Sequence, residues 1–240
     1  MKTFSNMMKG LIVAYLLGGV AFHGVTAEEI CEPFEDDRVN PEILAGMLEA
    51  AQDGYLYRIQ PATSKVGFCV TSLFAPVNGQ FDEFRGGLAW QPVGEGHSQA
   101  LVMVRTDSLH TENALVDKII KGEGFFDAKR HPEILFVSRG IKWTTPKAAV
   151  MHGDLTLRGV TRPVDFAVEL VEGESRPGKA QNVTVKATTT INRSDFGISK
   201  MSGLVKDDVR LCISIDAARF SPESLKLDTR SAARTGQGAA

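Results

Sequence analysis

The feature that most limits what this chain can become is a period of two. From Tyr57-Arg58-Ile59 onward, apolar side chains fall on every second residue through one short segment after another. In residues 65–72 (KVGFCVTS), Val66, Phe68 and Val70 share one face while Lys65, Gly67, Cys69 and Thr71 share the other. A Gly-rich stretch with Phe81 and Phe84 leads to Leu88 and Trp90, and residues 100–105 (ALVMVR) and 134–138 (ILFVS) follow. Residues 153–170 (GDLTLRGVTRPVDFAVEL) read as two arms, with bends expected at His152-Gly153 and at Thr161-Arg162-Pro163. Residues 182–191 and 208–218 end the series, the last placing Val209, Leu211, Ile213 and Ile215 on one side. Such alternation gives each strand one buried face and one wet face, which predicts antiparallel pairing. Eight or more half-apolar strands cannot remain an open sheet, and must close as a barrel or stack as a sandwich. An eight-stranded up-and-down barrel has an interior just wide enough for side chains or one slender ligand.

Two stretches depart from the period. Residues 41–51 carry Pro41 at a first helical position after Asn40, with Ile43, Leu44, Met47 and Leu48 on one stripe, and Gly54 after the end. This predicts a short helix, packed on the main domain or docking a partner. Residues 113–121 (NALVDKIIK) put Leu115, Ile119 and Ile120 on one side of a second helix, with Thr111 as its expected cap and Gly122 and Gly124 at its end. Phe125, Phe126 and His131-Pro132 then lead back to strand.

The chain opens like an export signal. Lys2 and Lys9 precede an apolar run at residues 11–22, too short for a membrane span of roughly 20 residues, and Val25-Thr26-Ala27 suits cleavage after Ala27. Loss of Lys2 and Lys9 leaves 25 basic against 29 acidic residues, a formal charge of −4, which offers nothing to nucleic acid. Residues 28–54 would then be an acidic arm with its helix, 55–220 the β domain, and 221–240 a flexible tail. Of Cys31, Cys69 and Cys212, the latter two lie on the first and last main strands with outward parity, so a cross-strand disulfide is one reading, with a Cys31 partner or free thiols as the alternatives. The five His residues are scattered without metal-ligand spacing, and no nucleophile–base pattern accompanies His110, His131 or Asp127. These features point away from an enzyme and from a metal site.

Five blocks, in order, resemble the YceI-like family of lipocalin-like bacterial proteins. They are Val66-Gly67-Phe68; Gly79-Gln80-Phe81 with Phe84-Arg85-Gly86-Gly87; Phe125-Phe126-Asp127-Ala128 with Pro132-Glu133-Ile134; residues 153–164 (GDLTLRGVTRPV); and residues 191–198 (INRSDFGI). The resemblance implies a mainly β fold, an eight-stranded antiparallel lipocalin-like β-barrel, to which the residues themselves add one inserted helix and an N-terminal helical extension. It also implies export to the periplasm, no catalytic activity and no catalytic cofactor. The ligand it implies is a long apolar molecule, an isoprenoid lipid or quinone, in a lengthwise tunnel. Several members are dimers, so a homodimer is an expectation, as is a membrane-protein partner; residues 28–54 and the cysteines lie outside the shared pattern.

Under that resemblance the tunnel lining would be Val66, Phe68 and Val70, then Phe81 and Leu88, then Val102 and Val104. Leu115 and Ile119 from the helix, and Phe125 and Phe126 after it, would form a lid or a plug. Ile134, Phe136, Leu155, Leu157, Phe166 and Val168 would follow, with Val164 and Leu170 on the same arm, and Phe196, Leu211 and Ile213 would complete it. Arg158, Arg162, Arg193 and Asp195 cluster at turns, where they would contact a headgroup or tie turns together through Arg–Asp pairs. A filled barrel serving as an interaction module is the alternative to a hollow one, because both require the same alternation.

Overall fold

A computed structural model describes residues 39, 41–90, 98–171 and 180–221. The expected leader with its cleavage site, the acidic arm with Cys31, Asn40, His97 and the tail beyond Ser221 lie outside the described residues. In chain order the elements are α1 (Pro41–Gln52), β1 (Leu56–Ile59), β2 (Lys65–Ser72), β3 (Val77–Phe81), β4 (Phe84–Ala89), β5 (Gln99–Arg105), β6 (Leu109–His110), α2 (Ala114–Lys121), β7 (Glu133–Trp143), β8 (Ala148–Leu157), β9 (Val160–Leu170), β10 (Asn182–Asn192) and β11 (Val205–Arg219).

All these strands pair antiparallel, and they close. β11 is long enough to serve two partners: its first half pairs with β2 (Leu211 opposite Phe68) and its end pairs with β1 (Ala218 opposite Arg58). β1 with β2, β3 with β4, and β5 with β6 are thus single staves interrupted by short breaks. With β7 to β11 they form an eight-stranded up-and-down barrel whose first and last staves meet. Closure removes the exposed edge that an open sheet would present.

One end of the barrel is packed shut. Trp90 and Trp143 meet at a tilt of 56° with centroids 5.1 Å apart, beside the fully buried Tyr57, Leu170 and Val183. The Tyr57 hydroxyl donates to the Ala180 carbonyl at 2.9 Å, so its polar atom is satisfied as the ring is buried. The other end carries the tip between β2 and β3, helix α2, and the segment between β10 and β11.

A second core lies outside the barrel. The stripe of α1, with Met47, Ala50 and Ala51 buried, covers Leu101, Met103 and Leu135 on the outer faces of β5 and β7. This explains why residues 100–105 are apolar on both parities: Ala100, Val102 and Val104 face inward, and Leu101 and Met103 face the helix.

Three local expectations are corrected. β8 runs straight through His152 and Gly153, and β9 begins at Val160, so the bend is Arg158-Gly159. Both residues have positive φ, 54° and 73°, the requirement of the two-residue turn that matches strand twist. Gly153 serves packing instead: a Cβ there would come within 2.5 Å of the Phe136 ring. Pro163 is tolerated within β9 because β10 pairs only with residues 167–170 of that strand, leaving Pro163 on a one-sided stretch. Lastly, α2 is capped by Asn113, whose Oδ1 accepts the N–H of Leu115 at 2.9 Å. Thr111 instead donates its hydroxyl and its N–H to Asp117, holding that carboxyl below the usual range.

Leu101 is wholly buried beneath α1 and faces away from the barrel interior. Leu101→Ala should therefore cost about 2–5 kcal/mol, read as a lower urea midpoint, and leave binding inside the barrel unchanged.

Candidate functional site

The barrel is hollow. Inward-facing side chains enclose a cavity of about 480 Å³, within the roughly 300–1,000 Å³ of small-molecule sites. Its walls are Val, Leu, Ile, Ala, Met and Phe; Ser72 and Arg193 supply the only polar side chains among the lining residues. The bore stays open because its aromatic rings lie against places without side chains. Phe136 rests on Gly153 and meets Phe166 edge-on at 5.1 Å. Phe68 rests on Gly79, and with Phe81 and Phe126 forms a trio at 5.8 to 6.1 Å.

The mouth lies opposite the Trp90–Trp143 plug. Phe74 and Ala75 from the β2–β3 tip, Val116 and Ile119 from α2, and Met201 and Leu204 before β11 all line the cavity at that end. Phe125 and Phe126 also line it.

The residues singled out in the sequence as tunnel wall line this cavity, with four exceptions. Leu115 is 67% exposed, because α2 turns Val116, Ile119 and Ile120 inward. Phe196 is fully buried, but in the 3-10 turn (Arg193–Phe196) behind the bore. On the β9 arm, Val164 and Leu170 also pack in the core away from the cavity surface. The sequence reading missed Ile59, Met151, Val185, Ala187, Ile191 and Ile215, all wall residues. Parity would have found several of them, since Val185, Ala187 and Ile191 share one face of β10. It would not have found Ile198, Met201 and Leu204, which lie outside any strand.

The arginines act on the backbone. Arg193, 5% exposed, donates from Nε to the Lys206 carbonyl (3.0 Å), from Nη1 to those of Ile198 (2.9 Å) and Lys200 (2.8 Å), and from Nη2 to that of Val205 (3.0 Å). Four of its five N–H groups are thereby committed to fastening the segment before β11. Arg158 donates to the Gly197 carbonyl at 2.8 Å from the neighbouring turn. In place of an Arg–Asp tie these are Arg–carbonyl ties; Asp195 is exposed, and Arg162 donates to its neighbour's carbonyl, that of Thr161. A carbonyl accepts without itself having to be held as a buried charge, so it suits a guanidinium sunk this deep.

Cys69 and Cys212 carry free thiols, one of the readings the sequence left open. The register sets Arg210 opposite Cys69 and Gly67 opposite Cys212, so the two are diagonal neighbours on the outer wall. Burial, then the adjacent Cys212 thiol, push the Cys69 thiol up. Among the described residues, no cluster of three or more His, Cys, Asp or Glu is placed to hold a metal ion. No described helix is long and apolar enough to cross a membrane.

Comparison with known proteins agrees with this architecture. The family model of the YceI-like domain matches residues 57–217. A UPF0312 protein of Pseudomonas putida strain W619 is 38% identical over 144 residues, 60% of this chain and 74% of that one. Among solved structures, BcnA of Burkholderia cenocepacia superposes with a TM-score of 0.60 at 22% identity, covering 66% of this chain and 98% of that one. A polyisoprenoid binding domain from Saccharophagus degradans, implicated in plant cell wall breakdown, superposes at 0.53 with 13% identity, covering 68% and 98%. At those identities the two structures establish the shared fold.

Replacing Arg193 with Met strips four carbonyls of their donor. The expected loss is about 3 kcal/mol by urea unfolding, and Arg193→Lys should recover little of it, since an ammonium lacks the planar fork that reaches several acceptors at once.

Proposed function

The chain belongs to the YceI-like family, and on that footing we propose that it is an exported, non-catalytic carrier that holds an isoprenoid lipid or quinone by its tail. The observation that carries this reading is the bore itself: about 480 Å³, apolar from plug to mouth. The name of the Saccharophagus degradans domain, polyisoprenoid binding, supports the choice of ligand class.

The energetics favour a long tail over a small molecule. Each buried methylene contributes roughly 0.8 kcal/mol, while association costs about 4–15 kcal/mol. A tail of about ten carbons only offsets the lower part of that cost. Affinity therefore grows with length until the tail reaches the Trp90–Trp143 plug, and bore depth selects chain length. No directed polar bond is required, which accords with Ser72 being spent on its own turn, donating to the Ala75 carbonyl at 2.6 Å, and Arg193 on the backbone. The same commitment of both polar groups supports a binding rather than a catalytic role.

Organic extraction of purified protein followed by mass spectrometry should return an isoprenoid compound. Extracts holding only buffer and detergent components across several preparations would remove the reading. Ala187 lines the bore, so Ala187→Trp should fill it and lower ligand retention by about tenfold or more, the worth of roughly two lost methylene contacts, with the far-UV spectrum unchanged. Export predicts that fractionated cells carry the protein in the periplasm, shortened to begin at Glu28. Recovery of the full-length chain in the cytoplasm would contradict it.

A further inference from the structure

The large apolar side chains that stand in solvent among the described residues are Leu73, Phe74, Leu115, Ile119, Met201 and Leu204. They belong to three segments at one end of the barrel: residues 73–76, helix α2, and residues 198–205. The segments adjoin, since the Leu73 N–H donates to the Leu204 carbonyl at 2.9 Å, and four of the six side chains also line the cavity. The exposed apolar surface is therefore the rim of the mouth, while the opposite end tucks its tryptophans together.

The rim is built to stay out. At the β2–β3 tip, Ser72 Oγ accepts the N–H of both Phe74 and Ala75 and donates to the Ala75 carbonyl. That turn holds Phe74 at 81% and Leu73 at 74% exposure. An apolar surface ordered in this way and continuous with a binding cavity marks an interaction site.

Charge identifies the occupant. The three rim segments contain Lys118, Lys121 and Lys200 and a single acid, Asp117, which is turned back onto Thr111. The chain as a whole is slightly acidic, with a net charge of −2, so this local excess of lysine among large apolar side chains runs against its composition. Apolar side chains interleaved with lysines match an anionic bilayer surface, where the former enter the headgroup boundary and the latter meet phosphate.

We infer that the rim docks on an anionic lipid bilayer, placing the mouth of the bore against the acyl region. This rests on the carrier reading, because the purpose of docking is to load and unload a tail without passing it through water. Lys118 and Lys200 set the attraction, and Leu73, Phe74, Leu115 and Met201 seat the rim.

The test uses the intact mature chain with vesicles of phosphatidylglycerol and phosphatidylethanolamine, compared with phosphatidylcholine alone, scored by flotation. Nile red fluorescence reports the bore independently. The protein should float with the anionic vesicles, and less so at high salt. Lys118→Glu with Lys200→Glu should weaken association by about fivefold per lysine. Leu73→Ser with Leu115→Ser, at positions that do not line the cavity, should abolish flotation while Nile red binding persists. Failure to float, or equal flotation of all variants, would overturn docking. A dimer in sedimentation velocity that the leucine variants dissolve, without vesicle binding, would also overturn it and make the rim an interface between copies. Flotation with no Nile red binding in any form would uphold docking and sink the carrier reading instead.

Discussion

Everything in this molecule depends on the meeting of its first and last staves. β11 has fifteen residues; it pairs with β2 from Val205 to Ser214 and with β1 through its last three residues. That pairing turns a row of antiparallel ribbons into a wall without an edge. Once the wall is closed, strand alternation has one consequence throughout: every second residue of every stave faces the same enclosed space. A sheet with its faces assigned in this way cannot slip by one residue without turning its apolar set into water. The register of β11 against its neighbours thus fixes which side chains line the interior.

A closed wall of eight staves has the choice of filling its interior or leaving it open. Here it does both, at different depths. Toward one end the side chains are large and meet across the axis, with Trp90, Trp143 and Tyr57 among them. Elsewhere they are medium-sized branched chains and rings that lie against Gly79 and Gly153. The result is a blind bore whose affinity scales with buried length. Its polar groups are withdrawn: Arg193 lies at the wall but is bound to four carbonyls, where it holds the segment that forms part of the mouth. The helix α1 performs a separate task on the outer wall, covering an apolar patch that the barrel would otherwise expose. With its stripe packed there, its buried face is already taken by this chain.

Much of this was legible in the residues alone. Period-two alternation from residue 57 to 218 dictated antiparallel staves, one apolar face each, and closure, because burial of one face is a property of each strand by itself. The same alternation named most of the lining, and the five sequence blocks named the family. Tertiary structure decided what depends on distance between residues far apart in sequence. Gly153 reads as a bend until the Phe136 ring of the next stave is seen lying on it. Leu115 and Val116 are both apolar positions of one helix, and only docking against the mouth determines which turns inward. Arg193 and Asp195 suggest a charge pair in sequence, but the carbonyls of residues 198–206 fold back onto the guanidinium first. Alternation alone is equally consistent with a solid core and a hollow one. Whether facing side chains touch across the axis is set by barrel radius and by the sum of their volumes at each level, quantities that exist only once the staves have closed.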